Sequence, residues 1–131
     1  MCGEREGAGN GGTHAIRVLL VDDHEIMRRG LAVLLADEPD IELVGEAENG
    51  VAGVDLAGRL LPDVVIMDVS MPGMSGTEAT GLIKQAHPAT RVIGLSMHDL
   101  DGTEEAMRAA GAEAYLTKDG PVEDLLCAIR G

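Results

Sequence analysis

An unbroken apolar run, Val64-Val65-Ile66-Met67, ends in Asp68, and Pro72-Gly73 follows shortly after. The run is mostly β-branched and too short for a helix, so it reads as a strand buried on both faces. A proline–glycine turn cannot prolong a strand. Ser75-Gly76-Thr77-Glu78 then has the spacing of a capping box opening a helix. Strand, acid, turn and helix in that order put a carboxylate at the carboxyl end of a central strand. That is the edge where open α/β sheets hold their ligands.

The rest of the chain repeats the pattern. Ile16 to Val21 is another buried-strand run, ending in Asp22-Asp23-His24-Glu25. Ile26, Gly30, Leu31, Leu34 and Leu35 then recur at helical spacing on one face, and Pro39 closes that helix. Ile41 to Ala47 is a strand, and Asn49-Gly50 turns the chain into a helix near Val51 to Leu60. The helix after the Asp68 strand runs from about Thr77 to His87 and stops at Pro88. Arg91 to Leu95 is a strand ending at Ser96, and Asp101-Gly102-Thr103-Glu104 has the capping spacing for a helix that ends near Gly111. Ala114 to Thr117 is a short strand ending at Lys118, and Pro121 suits the first turn of a last helix carrying Val122, Leu125, Leu126 and Ile129. Five strands alternating with five helices imply right-handed βαβ units and a parallel sheet covered on both faces. The expected fold is a flavodoxin-like, doubly wound α/β domain over residues 16–131, with strand order 2-1-3-4-5. Residues 1–15, with five glycines and little that is apolar, read as a flexible arm or linker.

At 131 residues the chain is long enough for one well-formed core, and Tyr115 is its only Phe, Tyr or Trp residue. The net charge of −13 argues against direct binding of nucleic acid or of an anionic membrane surface. Cys2 and Cys127 lack metal-ligand or redox spacing and read as reduced thiols. With no transmembrane-length run and no signal-peptide core, the expected location is the cytoplasm.

In the order 2-1-3-4-5 the first and third strands are neighbours, so Asp22, Asp23 and Asp68 converge. Two carboxylates at ~4 Å repel by about 4 kcal/mol at an effective dielectric near ~20. Three ionised acids therefore need a cation or a shifted pKa. Oxygen ligands from few protein groups favour Mg²⁺, which keeps waters and accepts a phosphate. Ser96 offers a hydroxyl and Lys118 a compact cation at the same edge. Taken singly, the Asp pair reads as a helix cap, Ser96 as a turn former and Lys118 as a solvated surface lysine. Their convergence on one edge points instead to phosphoryl transfer through an aspartyl phosphate, with Asp68 as nucleophile.

With Val-Asp-Asp-His at 21–24, Met-Asp-Val-Ser-Met-Pro-Gly-Met at 67–74, Leu-Ser-Met-His at 95–98 and Tyr-Leu-Thr-Lys-Asp at 115–119, the chain resembles a response-regulator receiver domain of two-component signalling. The resemblance covers about Ile16 to Arg130. It implies that Asp68 accepts a phosphoryl group from a histidine kinase or phosphotransfer protein, in a Mg²⁺-dependent self-catalysed reaction rather than conventional enzymatic turnover. Asp23, Asp68 and the backbone carbonyl of Ser70 would hold Mg²⁺, Asp22 acting through water. Ser96 would swing towards the phosphoryl oxygen, Tyr115 would rotate inward after it, and Lys118 would pair with the phosphate or with unphosphorylated Asp68. The surface of helix 4, strand 5 and helix 5 would then change partners, homodimerisation among them. Ser70 and His98 are candidates for tuning dephosphorylation, whereas His24 reads as local hydrogen bonding. Asp119 stands where many receivers carry a cis-proline, and Pro121 follows later. That spacing is nearer to receivers of helix-turn-helix regulators, and the ending also resembles receivers of hybrid sensor kinases.

Other classes fit less well. Asp22-Asp23-His24-Glu25 would repel a flavin phosphate, and an aspartyl phosphatase wants an acid where Ser70 stands. The remaining alternative is a phosphorylation-independent interaction module of the same fold.

Overall fold

A computed structural model describes residues 15–97 and 102–131. The elements run β1 (Ile16–Val21), α1 (Glu25–Ala36), β2 (Ile41–Ala47), α2 (Gly50–Leu60), β3 (Val64–Asp68), α3 (Gly76–Ala86), β4 (Arg91–Ser96), α4 (Thr103–Ala110), β5 (Ala114–Thr117) and α5 (Val122–Arg130). All four strand pairings are parallel and the order is β2-β1-β3-β4-β5. This is the expected flavodoxin-like arrangement. The arm expected over residues 1–15 lies almost wholly outside the described residues.

The strand pleat sorts the core into two layers. Leu19, Val21, Val65, Met67 and Val92 pack against Ala57, Ile83 and Met107 of α2, α3 and α4. Val18, Leu20, Val64, Ile66, Ile93 and Leu95 pack against Leu35, Leu125 and Ile129 of α1 and α5. Alternate residues of one strand thus serve opposite layers, which is why the central strands are apolar without a break. Every residue of β3 is buried, Asp68 included.

Side chains and glycines close the helix ends. Asn49 accepts from the Ala52 N–H at 2.8 Å and Ser75 Oγ from the Glu78 N–H at 3.1 Å. Arg17, in β1, reaches the last carbonyl of α2 (Leu60 O at 2.8 Å) and that of the residue closing it (Leu61 O at 2.9 Å). Arg91, at the start of β4, does the same for α5 through the Ala128 and Ile129 carbonyls. Arg130 is tied to Asp40 and Glu38, and these pairs hold its guanidinium above its ordinary pKa.

Three local details go beyond the sequence pattern. The apolar stripe of α1 is not uniformly buried: Leu35 is in the core, but Ile26 is 88 % and Leu34 47 % exposed. Both line an open cleft of about 620 Å³ between α1 and the β5–α5 segment, with Leu116 and Val122 on its far wall. No described part of this chain fills that cleft. The residue preceding α1 is His24, without a side-chain cap bond, so neither aspartate caps that helix. Finally, α4 opens after Gly102 in the left-handed region, and Asp101 lies outside the described residues.

Candidate functional site

The acids are placed by their strands. Asp22 follows β1 and donates its N–H to Ala47 O of β2 at 3.0 Å, while its own carbonyl accepts from Arg28 Nη1 at 2.7 Å. Asp68 ends β3, and the next residue, Val69, donates to Leu95 O of β4 at 3.0 Å. Lys118 follows β5 and is fixed by its N–H to Ser96 O at 2.7 Å. Main-chain bonds therefore tie the end of β1 to β2, and those of β3 and β5 to β4, before any side chain is considered.

Gly76 allows the β3–α3 crossing. A Cβ on it would lie 2.2 Å from Asp68 O and 2.7 Å from Val69 Cα, so the first turn of α3 sits directly against the end of β3. The sequence offered a signal for this, since Gly76 stands just after the capping Ser75 where most residues would serve.

The side chains then meet. Lys118 Nζ lies 3.0 Å from Asp22 Oδ2 and 3.2 Å from Asp68 Oδ2, and all three side chains are 1 % exposed. Lys118 is thus no solvated surface lysine. Asp68 Oδ1 accepts from the Ser70 N–H at 3.0 Å. Asp22 Oδ2, Asp23 Oδ1 and Asp68 Oδ2 are buried without an aligned hydrogen-bond donor among the described residues. Lys118 Nζ donates to Asp22 Oδ1 at 3.2 Å, and its contacts with the two Oδ2 atoms are charge–charge contacts beside that one directed bond. One ammonium faces three carboxylates, which leaves the pocket short of positive charge.

Asp68 carries the cost. Burial pushes its carboxyl from 3.8 up to about 6, against the Ser70 N–H and Lys118, which pull it down; Asp22 and Asp23 push it up further. Asp22, Asp23, His24 and Asp68 each present a ligand atom, and those atoms lie within 4.8 Å of one another. Buried carboxylate oxygens without donors, grouped at that spacing, fit a hard divalent cation.

The other candidate residues are spread around this pocket. Ser96 is fully buried at the end of β4, whereas Ser70 is exposed. Tyr115 is half-buried, its ring over Gly94, where a Cβ would come 3.1 Å from Tyr115 Cδ1 and 2.8 Å from Met107 Cε. Its hydroxyl is buried with no hydrogen-bond partner among the described residues. His98 lies outside the described residues. His24 makes the expected local bond, its N–H donating to Asp22 Oδ1 at 2.9 Å. The sequence reading missed Gly76, Gly94 and the Arg28 tie to the Asp22 carbonyl.

Comparison with known proteins agrees with this geometry. Residues 18–130 match the response regulator receiver domain family. Over 115 residues the chain is 45 % identical to the transcriptional regulatory protein LiaR of Bacillus subtilis and 40 % identical to the response regulator GacA of Pseudomonas viridiflava. Each alignment covers 88 % of this chain and 54 % of the relative, so the chain spans about half the length of those proteins. Among solved structures, the receiver domain of the NarL regulator of Mycobacterium tuberculosis superposes with a TM-score of 0.83 at 32 % identity, covering 90 % of this chain and 98 % of that one. The receiver domain of Thermotoga maritima CheB gives 0.81 at 39 % identity, covering 89 % and 95 %. No described helix is long and apolar enough to cross a membrane. The chain belongs to the response-regulator receiver domains of two-component signalling.

Proposed function

We propose that the domain takes a phosphoryl group onto Asp68 from the phosphohistidine of a histidine kinase or phosphotransfer protein. One observation carries the reading: a carboxylate 1 % exposed faces Lys118 at 3.2 Å in a pocket it shares with two more acids. An Asp68 oxygen attacks phosphorus, the P–N bond of the donor breaks, and the imidazole leaves with the bonding pair, giving an acyl phosphate. A carboxyl raised to about 6 is a stronger base than an ordinary aspartate yet is mostly ionised at neutral pH, which suits a nucleophile. Lys118 balances charge on the equatorial phosphoryl oxygens, and the Ser96 hydroxyl donates to one of them. Asp23, Asp68 and the Ser70 carbonyl would hold Mg²⁺, with Asp22 acting through water. The ion supplies positive charge against the phosphoryl oxygens.

Movement of Ser96 towards the new phosphate leaves room for Tyr115 to turn, and the α4–β5–α5 surface then exchanges partners, a second copy of the domain among them. Ser70 and His98 set how fast water removes the phosphate. The domain catalyses its own phosphorylation and dephosphorylation and acts in the cytoplasm, where kinases of this kind present their phosphohistidine. A net charge of −13 argues against direct nucleic-acid contact by this domain.

The test is intact mass after incubation with acetyl phosphate and Mg²⁺. Wild type should gain one phosphoryl group, and Asp68→Asn or a chelator should abolish the gain. No adduct after rapid quenching, with acetyl phosphate or with a panel of kinases, would favour the phosphorylation-independent module.

A further inference from the structure

The His24 ring stands against the acids as well. Its Nδ1 lies 3.2 Å from Asp23 Oδ1, 3.3 Å from Asp22 Oδ1 and 3.9 Å from Asp68 Oδ2. Ligand atoms on an octahedral ion with bonds near ~2.1 Å sit about 3.0 Å apart when adjacent and about 4.2 Å apart when opposite. His24 Nδ1 already stands at nearly the adjacent spacing from Asp23 Oδ1, and the ligand atoms of Asp22, Asp23, His24 and Asp68 all lie within 4.8 Å of one another. The same nitrogen stands 3.5 Å from Lys118 Nζ, so it faces a cation in the resting pocket.

Two further observations bear on a ligand. The Oδ2 atoms of Asp22 and Asp68 are buried in this cluster without an aligned donor among the described residues, on residues 0 % and 1 % exposed. The imidazole, in contrast, is 53 % exposed, so its ring is open to an ion arriving from solvent. Its backbone is held beside the pocket by the N–H bond to Asp22 Oδ1 at 2.9 Å, which fixes the point from which the ring reaches the acids.

We infer that His24 is a nitrogen ligand of this pocket and shifts its preference from Mg²⁺ towards first-row transition cations such as Co²⁺ and Ni²⁺. An all-oxygen site suits Mg²⁺, which holds nitrogen weakly and keeps its waters; adding one imidazole favours the later metals of the series. The inference rests on the reading that the pocket holds a divalent cation.

The test compares wild type with His24→Gln and His24→Ala, each first checked for native circular dichroism. Calorimetric titration with Ni²⁺ and with Mg²⁺ should show the Ni²⁺-to-Mg²⁺ affinity ratio falling about tenfold or more in both variants. Pulsed electron paramagnetic resonance of Mn²⁺-loaded wild type should show a nitrogen coupling that excess Mg²⁺ removes and that both variants lack. If Mg²⁺ and Mn²⁺ bind, Asp68 labels with acetyl phosphate, and neither ratio nor coupling depends on His24, the inference fails while the phosphoacceptor reading stands. If no divalent ion binds wild type at all, both fail.

Discussion

At Asp68 the fold opposes the charge it needs. Burial raises the carboxyl from 3.8 to about 6, so between those values the folded chain holds a proton that the unfolded chain has released. Stability from this group is therefore complete below pH ~4 and declines as pH rises through about 6, by about 3 kcal/mol at most. In chelated buffer, Asp68→Asn should be more stable than wild type at pH 7, by about 1–3 kcal/mol, and the two should converge towards pH 4. Urea melts at both pH values measure this; a variant less stable than wild type at pH 7 would contradict it. A bound cation reverses the preference by stabilising the ionised form, so added metal should narrow the gap.

Among the elements, the junction of β3 and α3 is the least forgiving. Gly76→Ala would drive a methyl to 2.2 Å from Asp68 O and 2.7 Å from Val69 Cα, both backbone atoms that cannot step aside as a side chain would. The expected cost is about 1–3 kcal/mol in a denaturant melt, with slower acetyl-phosphate labelling because the end of β3 must shift. A melt equal to wild type would show that the two elements are not held this close. Strand positions and order were legible in the sequence because buried parallel strands are short, apolar and β-branched, and the turns between them are punctuated. The convergence of Asp22, Asp23, Asp68, Ser96 and Lys118 on one edge followed from that order. Covering was not legible: periodicity puts Ile26 and Leu34 on the apolar face of α1 but does not say whether anything packs there. Nor did it separate Asp22, fully buried, from the part-exposed Asp23, because both follow β1 and only the paths of Arg28 and Lys118 distinguish them. Gly76 and Gly94 escaped notice for a related reason, since a glycine's meaning lies in what approaches it from another element.

For the whole molecule, charge acts against compactness. A net −13 on 131 residues is self-repulsive, and folding concentrates it. Added NaCl should raise the melting temperature of the chelated protein over the range where the screening length falls from ~30 Å to ~10 Å; a flat response would mean that local ion pairs already balance the surface. The chain has also dispensed with aromatic packing. Its two core layers are aliphatic and methionine, and Tyr115 is the single Phe, Tyr or Trp ring, set against Gly94 with its hydroxyl buried and lacking a partner among the described residues. That scarcity turns Tyr115 into a native optical probe. Its fluorescence comes from one known position, on β5 near Met107 of α4, with no tryptophan to drain the signal and no label to perturb the fold. Any event at Asp68 that turns this ring should be readable as light from the unmodified protein.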